Sequence, residues 1–290
     1  DVHELNCAVQ AESSASSSAC PSVGEWAELF RLADKTICMP ISEGVSGSYN
    51  AAATARDMVL AEEPNRQIHL VNSRAAGGKM DLIFLLFDRY LACNPDVSFE
   101  DACAYFDSLE QNSKILFSLC NYENLAKAGR IPKAAGVIAN KLNIRILGTA
   151  SEAGKIELVG HTRGEKKMLT KIVDTMEAEG FTGGEVIIDH VENEAGAQAL
   201  TDRTLIVFLV TVICTVLHAI FLVLHHPGLI PFVQSDFLFL NKKTMIQLIL
   251  QLTHFLFGFC NGIRVYRIAP IFNLNTALIA SICSLTNTRR

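Results

Sequence analysis

Serines and glycines alternate in the segment Ser42–Ser48 (SEGVSGS), which we call the serine loop. The apolar run Ile37–Ile41 before it predicts a buried strand, and the alanine-rich sequence from Asn50 onward predicts a helix. A strand, a small-residue loop and a helix N-terminus make an anion site, because the first helical turn has unpaired N–H groups and the helix dipole favours negative charge there. The same residues also suit a helix cap and a turn, so the motif alone leaves both roles open.

Other residues that could bind a metal or a ligand occur at spacings that are typical of no known site. His161 and His190 lie at the ends of predicted strands without a second ligand at metal-binding spacing, and none of the nine cysteines forms a C-x-x-C pair. We therefore expect no metal site and no cofactor. A Ser-His-acid hydrolase is disfavoured because no G-x-S-x-G elbow occurs. Arg130, directly after Gly129, could reach a ligand or bond nearby carbonyls at a helix end.

Composition narrows the classes of function. The 290-residue chain has a net charge of -5 and a pI near 5.9, which argues against nucleic acid as the main partner. No signal-peptide pattern is visible in the first residues. We interpret the cysteines as reduced thiols and expect residues 1–203 to be cytoplasmic.

Strands and helices alternate as far as about residue 200. Apolar runs of strand length occur at Gln67–Val71, Ile115–Leu119, Ile144–Leu147, Lys155–Val159 and Glu185–Ile188. The clearest amphipathic helix carries the stripe Met168, Leu169, Ile172, Val173 and Met176. This alternation predicts an α/β fold with a parallel-type sheet flanked by helices, whose ligand sites lie at the carboxyl ends of strands. The serine loop follows such an end.

Acidic residues almost disappear from the sequence after Arg203. Beyond it Asp236 is the only acidic residue, and Thr204–Leu224 carries no formal charge. Thr204–Leu224 has the length and apolarity of a transmembrane helix, and Thr244–Val265 and Ile268–Leu285 are weaker candidates. Two interpretations stay open, a membrane region or an arbitrary apolar translation after loss of the reading frame. We expect a helix that projects from the α/β body and does not complete its sheet.

An ordered series of motifs resembles the DegV family, bacterial proteins that bind a fatty acid between two α/β domains. The matching segments are Ser17–Ser22, Ser42–Tyr49, Val71–Ser73, Asn124–Ile131, Leu142–Gly154, His161–Lys167 and Ile187–Asn193. Together the matches reach to about residue 200. A series of this length is more specific than any of its members.

The resemblance implies a binding protein for a long-chain fatty acid and not an enzyme. Carried over by motif, the carboxylate is held by Ser18 from the first loop and by Ser46, Gly47 and Ser48 from the serine loop. A separate fatty acid kinase would make the acyl phosphate. Arg163 in the R-G-E-K-K motif, and Arg130, are the candidates for contact with that kinase or with phosphate.

Two features of the family have no counterpart in the sequence. Family members begin with a strand and a D-S-x motif before the first serine loop, and end with strands and a polar motif. We therefore expect a first domain over 1–128 that lacks its start, an incomplete second domain over 129–203, and a hydrophobic region over 204–290. We expect the protein to be able to associate with a membrane through residues 204–285. The alternative hypothesis is a membrane-tethered α/β protein that binds another small acidic ligand.

Overall fold

The computed structural model describes residues 2–11, 18–119, 122–132, 143–207, 264–268 and 277–283. The helices are α1 (Val2–Ala11), α2 (Val23–Phe30), α3 (Ser48–Glu62), α4 (Gly78–Cys93), α5 (Phe99–Gln111), α6 (Glu123–Lys127), α7 (Glu165–Ala178) and α8 (194–207). The strands are β1 (Lys35–Cys38), β2 (Gln67–Leu70), β3 (Ser113–Leu119), β4 (Ile144–Ala150), β5 (Ile156–Arg163), β6 (Glu185–His190), β7 (Arg264–Ile268) and β8 (Ala277–Cys283).

Local capping chemistry sets the helix starts. Ser22 accepts a hydrogen bond from the Glu25 N–H at 3.3 Å, and Glu25 accepts one from the Ser22 N–H at 2.7 Å, which forms a capping box before α2. Ser98 caps α5 by accepting from the Asp101 N–H at 3.0 Å. Caps of this kind each stabilise a helix by about 1 kcal/mol. These starts can be read from sequence because donor and acceptor are three residues apart.

The described strands form a two-stranded and a six-stranded sheet. In the smaller sheet β1 and β2 are parallel, with Lys35 opposite Gln67. Helices α2 and α3 pack on each other, and Phe30, Ala52 and Val59 are fully buried between these helices and the smaller sheet. This half of the molecule agrees with the parallel βαβ pattern that the sequence predicts.

The larger sheet has the strand order β5-β4-β3-β8-β6-β7. The expectation of a parallel sheet is wrong for most of its strand pairs. Only its β6–β7 pair is parallel among the described strands, and the other neighbours are antiparallel. The turn 151–155 between β4 and β5 shows why, because so short a connection can join only antiparallel neighbours. Helix α7 covers this sheet with its predicted stripe, all of it buried.

Helix α4 lies between the two sheets. Leu82 and Ile83 are fully buried against Met39 and Val71, which follow β1 and β2, and against Ile187 of β6. One continuous apolar cluster therefore joins the end of the small sheet to the face of the large one.

The expected domain divisions at residues 128 and 203 stay a proposal. Strand β3 lies before residue 129 and pairs with β4, so the larger sheet includes chain from both sides of that division. After residue 203, β8 pairs with β3 and β6, and β7 pairs with β6.

The prediction of an apolar helical region over residues 204–290 is wrong for the two strands described there. Ile268–Leu285 includes β8, which forms a ladder between β3 and β6 and cannot be a transmembrane helix. Of Thr204–Leu224, residues 204–207 are helical and the rest lies outside the described residues, as does all of Thr244–Val265 except 264 and 265, which are in β7. In the part of the chain that is described, no helix combines the length and apolarity needed to cross a bilayer.

Candidate ligand site at the serine loop

Segments far apart in sequence hold the serine loop. Ser42 donates its backbone N–H to Ala75 O at 3.0 Å and its hydroxyl to Gly154 O at 2.7 Å. The Arg130 guanidinium donates from Nε to Val45 O at 2.9 Å. The loop is thus tied to the β2–α4 connection, to the β4–β5 turn and to Arg130, three residues after the end of α6. It lies where the two sheets approach each other.

Glycines permit this close packing. A Cβ on Gly44 would lie 2.4 Å from the carbonyl carbon and oxygen of Gly154 and 2.6 Å from Lys155 N. Gly154 has φ +67, and a Cβ there would lie 2.1 Å from Ser42 Oγ. The backbone of the turn leaves no space for a side chain at Gly44, and the Ser42 hydroxyl together with the positive φ leaves none at Gly154. Both glycines are therefore required by the contact between the loop and the turn.

The serine loop ends at the N-terminus of α3. Ser46 Oγ accepts from the Ser48 N–H at 3.2 Å and lies 3.1 Å from Ser48 Oγ. Gly47 is the N-cap and provides no side-chain acceptor; among the described residues, none accepts from the N–H groups of Tyr49 and Asn50. Hydroxyls and helix-terminal N–H groups therefore lie together, which is the donor set that binds a carboxylate or phosphate.

The segment that contains Ser18 lies against the N-terminus of α3. A Cβ on Gly47 would lie 3.2 Å from Cys20 Sγ, so Cys20 packs directly on the N-cap. Ser18 is exposed and precedes Cys20 by two residues, a span of about 7 Å at most. The structure brings this segment to the serine loop, and the role of Ser18 as a ligand stays a prediction.

The two arginines predicted for phosphate or partner contact are far apart. Arg130 follows the Schellman turn of α6, in which its N–H bonds Leu125 O at 2.9 Å, and its side chain lies on the serine loop. Arg163 is exposed at the end of β5 remote from the turn that holds Gly154. At about 3.3 Å per residue the strand places Arg163 roughly 23 Å from that turn. Arg163 therefore does not share a ligand group with the serine loop.

A buried ion cluster supports the β2–α4 connection. Glu110 and Lys79 are each 4% exposed, and Lys79 Nζ lies 2.7 Å from Glu110 Oε1. Arg74 donates to the same carboxylate from Nε at 2.9 Å and from its terminal nitrogen, and these hydrogen bonds raise the pKa of Arg74 above its ordinary value. Since Ala75 directly follows Arg74 and accepts from Ser42, the cluster fixes one wall of the site.

Sequence reasoning missed this supporting layer. Asn72 Oδ1 accepts from the Glu43 N–H at 3.3 Å, and Ser42 and Gly154 are joined by a hydrogen bond across 112 positions of sequence. Their membership in the segments that resemble the DegV family was the only available signal. Nothing in local spacing marks Glu110, because its partner Lys79 is 31 positions away.

The histidines and cysteines show no metal centre in the part of the chain that is described. His161 is exposed, and His190 Nδ1 lies 3.4 Å from the Asn193 N–H. No group of three or more His, Cys, Asp or Glu side chains among the described residues could hold a metal ion. Free thiols are found at Cys7, Cys20, Cys38, Cys93 and Cys103.

Comparison with known proteins decides the family. Residues 2–227 match the family model described as an uncharacterised protein of the DegV family. The chain belongs to the DegV family. A DegV domain-containing protein of Streptococcus pyogenes serotype M3 is 35% identical over 203 residues, which are 70% of this chain and 72% of that protein. One of Streptococcus pneumoniae R6 is 32% identical over 203 residues, again 70% and 72% of the two chains.

Solved structures share the fold of this DegV protein. The Streptococcus pneumoniae Fatty Acid Kinase (Fak) B3 protein loaded with linoleic acid has a TM-score of 0.71 at 25% identity, with 98% of this chain and 83% of that chain covered. A DegV family protein from Eubacterium eligens loaded with heptadecanoic acid has a TM-score of 0.70 at 24% identity, with 98% and 86% covered. The α/β fold of the family is therefore shown for this DegV protein.

A buried carboxyl group contacts the start of α4 in this DegV protein. Asp189 of β6 is 3% exposed and accepts from the Gly78 N–H at 2.5 Å, while its Oδ1 has no partner among the described residues. Burial raises the pKa of Asp189 to about 6, against the lowering effect of the Gly78 hydrogen bond, and the nearby Asp81 carboxylate raises it further. The folded protein therefore favours the protonated form of this group more than the unfolded chain does.

Replacing Asp189 with asparagine should stabilise the protein more at pH 7.5 than at pH 4.5. Because the folded-state pKa is above the ordinary value of 3.8, stability from this group is present below pH 4 and is lost as the pH rises to about 6. The gain for Asp189→Asn should approach about 3 kcal/mol at pH 7.5, since each pKa unit corresponds to about 1.4 kcal/mol. Urea unfolding at both pH values measures it. Asp34→Asn, at a side chain that is 97% exposed, is the control, and an equal effect of Asp189→Asn at both pH values would contradict the expectation.

Proposed function

We propose that this DegV protein binds a long-chain fatty acid with the carboxylate at the serine loop and presents it to a separate fatty acid kinase for acyl-phosphate formation. The observation that carries the proposal is the donor set at the start of α3, where the hydroxyls of Ser46 and Ser48 adjoin the N–H groups of Tyr49 and Asn50. The loaded Fak B3 and Eubacterium eligens structures support the class of ligand.

The position of the serine loop favours an amphipathic acid over a small anion. A carboxylate needs only two or three charge-assisted donors, and an acyl chain needs an apolar slot. Met39, three residues before the loop, is buried, as is Ala75, whose carbonyl accepts from the Ser42 N–H. Met80 of α4 packs against two apolar clusters, the one that includes Ala75 and the one that includes Met39. We place the acyl chain along α4, between the two sheets. Chemistry at the carboxylate then belongs to the kinase, and this chain acts as its binding subunit.

Ser46→Ala should weaken fatty acid binding by about 1–3 kcal/mol through the loss of one charge-assisted hydrogen bond. That range corresponds to a roughly 5- to 150-fold rise in Kd. Titration of the 290-residue chain with oleate, followed by calorimetry or native mass spectrometry, measures the change. Ser18→Ala should act in the same direction if its hydroxyl shares the carboxylate.

Thr54→Ala is the matched control for this experiment. Thr54 lies on α3, is exposed and bonds Asn50 O within its own helix at 2.9 Å, so its loss should leave oleate affinity unchanged. If folded Ser46→Ala binds oleate as wild type does, the serine loop is only a turn. Binding of a short-chain acid in preference to oleate would favour the alternative of another small acidic ligand.

Arg163→Ala should separate ligand binding from kinase docking. Since Arg163 is exposed and roughly 23 Å from the β4–β5 turn, its loss should leave oleate affinity unchanged. Acyl-phosphate production by a fatty acid kinase should fall about tenfold, equivalent to about 1.4 kcal/mol of lost docking energy. Lys166→Ala, at a neighbouring exposed position of α7, tests whether any positive charge suffices. Loss of oleate affinity in Arg163→Ala would exclude the docking role.

A further inference from the structure

Helix α4 begins at a residue that cannot cap it. Its N-cap, Gly77, has no side chain and so provides no acceptor for the first N–H groups of the helix. Asp189 of β6 supplies that acceptor from a distant part of the sequence, because its Oδ2 accepts from the Gly78 N–H at 2.5 Å. A carboxylate also suits the positive end of the helix dipole. The larger sheet therefore caps this helix.

Close packing holds the start of α4 on β6. Gly78 is buried, and a Cβ on it would lie 2.4 Å from Asp189 Oδ2 and 2.9 Å from Ile187 Cγ2. Ile187 lies on the same face of β6 as Asp189, because side chains alternate along a strand, and it belongs to the same apolar cluster as Leu82 of α4. Among the described residues the Gly78 N–H is the group that pairs with Asp189, whose Oδ1 has no partner.

The capped helix start is connected to the serine loop. Gly78 comes three residues after Ala75, whose carbonyl accepts from the Ser42 N–H at 3.0 Å. The Ser73 hydroxyl donates to the same carbonyl at 3.0 Å. Three residues span about 10 Å at most, so a shift of the helix start also moves the carbonyl that holds the loop. The β2–α4 connection is thus fixed by the Glu110 cluster and by Asp189.

We propose that Asp189 is a positioning residue for the ligand site: it caps α4 from the larger sheet and so fixes the β2–α4 connection and the serine loop. The expected effect on ligand affinity rests on the proposed function. The role needs an acceptor at position 189 and not a negative charge, because a neutral amide oxygen also accepts from an N–H group. Asparagine should therefore keep the contact, whereas leucine, which has a similar size, should lose it.

Hydrogen exchange tests the cap without a ligand. Mass spectrometry of the 290-residue chain at pH 7.5 follows peptides from the β2–α4 connection and from the serine loop. In Asp189→Leu both should exchange at least about fivefold faster than in the wild type, since the loss of a helix cap favours local opening by about that factor. Peptides of α7 should keep the wild-type rate. Asp189→Asn should show no acceleration, and Asp88→Leu, at an exposed position of α4, is the matched control.

Oleate titration and urea unfolding distinguish a positioning role from a general effect on stability. Asp189→Leu should raise the Kd for oleate about fivefold. Its free energy of unfolding at pH 7.5 should not fall, because leucine also removes a buried carboxylate that has an unpaired oxygen. Asp189→Asn should restore the wild-type Kd. If Asp189→Leu does not fold, Asp189→Ala is a second variant that lacks the acceptor.

The outcomes separate the cap from the ligand site. Unaltered exchange in Asp189→Leu would overturn the cap, and faster exchange with an unaltered Kd would overturn its link to the ligand site. Parallel losses of affinity and stability, with faster exchange in α7 as well, would show a structural role alone. If the wild type does not bind oleate, the proposed function is wrong, and the exchange rates still decide whether Asp189 fixes the connection and the loop.

Discussion

Gly44→Ala should lower the free energy of unfolding by about 2–4 kcal/mol and weaken oleate binding at least about tenfold. The added Cβ would lie 2.4 Å from the carbonyl of Gly154, so the serine loop and the β4–β5 turn must separate. Separation breaks the hydrogen bond from the Ser42 hydroxyl to Gly154 O. Urea unfolding measures the first effect and oleate titration the second.

Gly24→Ala is the matched control for Gly44→Ala. Gly24 lies in α2, and among the described residues a Cβ there would meet only Ser22 Oγ, at 3.9 Å. Alanine should therefore be neutral or stabilising by up to about 1 kcal/mol. If Gly44→Ala retains wild-type stability and affinity, the contact between loop and turn does not position the site. A loss of stability with unchanged affinity would show that the carboxylate lies elsewhere.

Glu110→Ala should destabilise the protein by about 3–5 kcal/mol, since it removes the carboxylate shared by buried Lys79 and half-buried Arg74. The β2–α4 connection should loosen as well, because Arg74 directly precedes the residue whose carbonyl holds Ser42. Oleate affinity should therefore fall together with stability. Urea unfolding and oleate titration of the same samples measure both.

A surface ion pair supplies the comparison for Glu110→Ala. Glu179 pairs with Lys114, and both side chains are about half exposed, at 45% and 53%. Glu179→Ala should cost no more than about 1 kcal/mol because solvent screens the pair. If Glu110→Ala and Glu179→Ala lower the free energy of unfolding equally, burial does not strengthen the Glu110 cluster. The proposal that this cluster fixes one wall of the site would then be wrong.

The sequence by itself determined the features that depend on neighbours a few positions apart. The Ser22–Glu25 capping box, the stripe of α7 and the order of strand, serine loop and helix all follow from spacings within one turn or one strand. The bounds of that strand do not, because the predicted buried run Ile37–Ile41 shares only Ile37 and Cys38 with β1, which is half-buried there. Ordered motifs also identified the DegV family, which the family model confirms. Each of these features depends on residues that are close together in the sequence, so it can be predicted without knowledge of the fold.

Only the tertiary structure decided which distant segments meet. Ser42 and Gly154 bond across 112 positions, and the Arg130 guanidinium bonds Val45 O across 85. Strand β8 enters the centre of the larger sheet from a region that composition alone marked as apolar and helical. A strand's partner and direction depend on backbone hydrogen bonds to chain that is remote in sequence. The apolar run that forms β8 has the same composition as a membrane helix segment, and only pairing with β3 and β6 distinguishes the two.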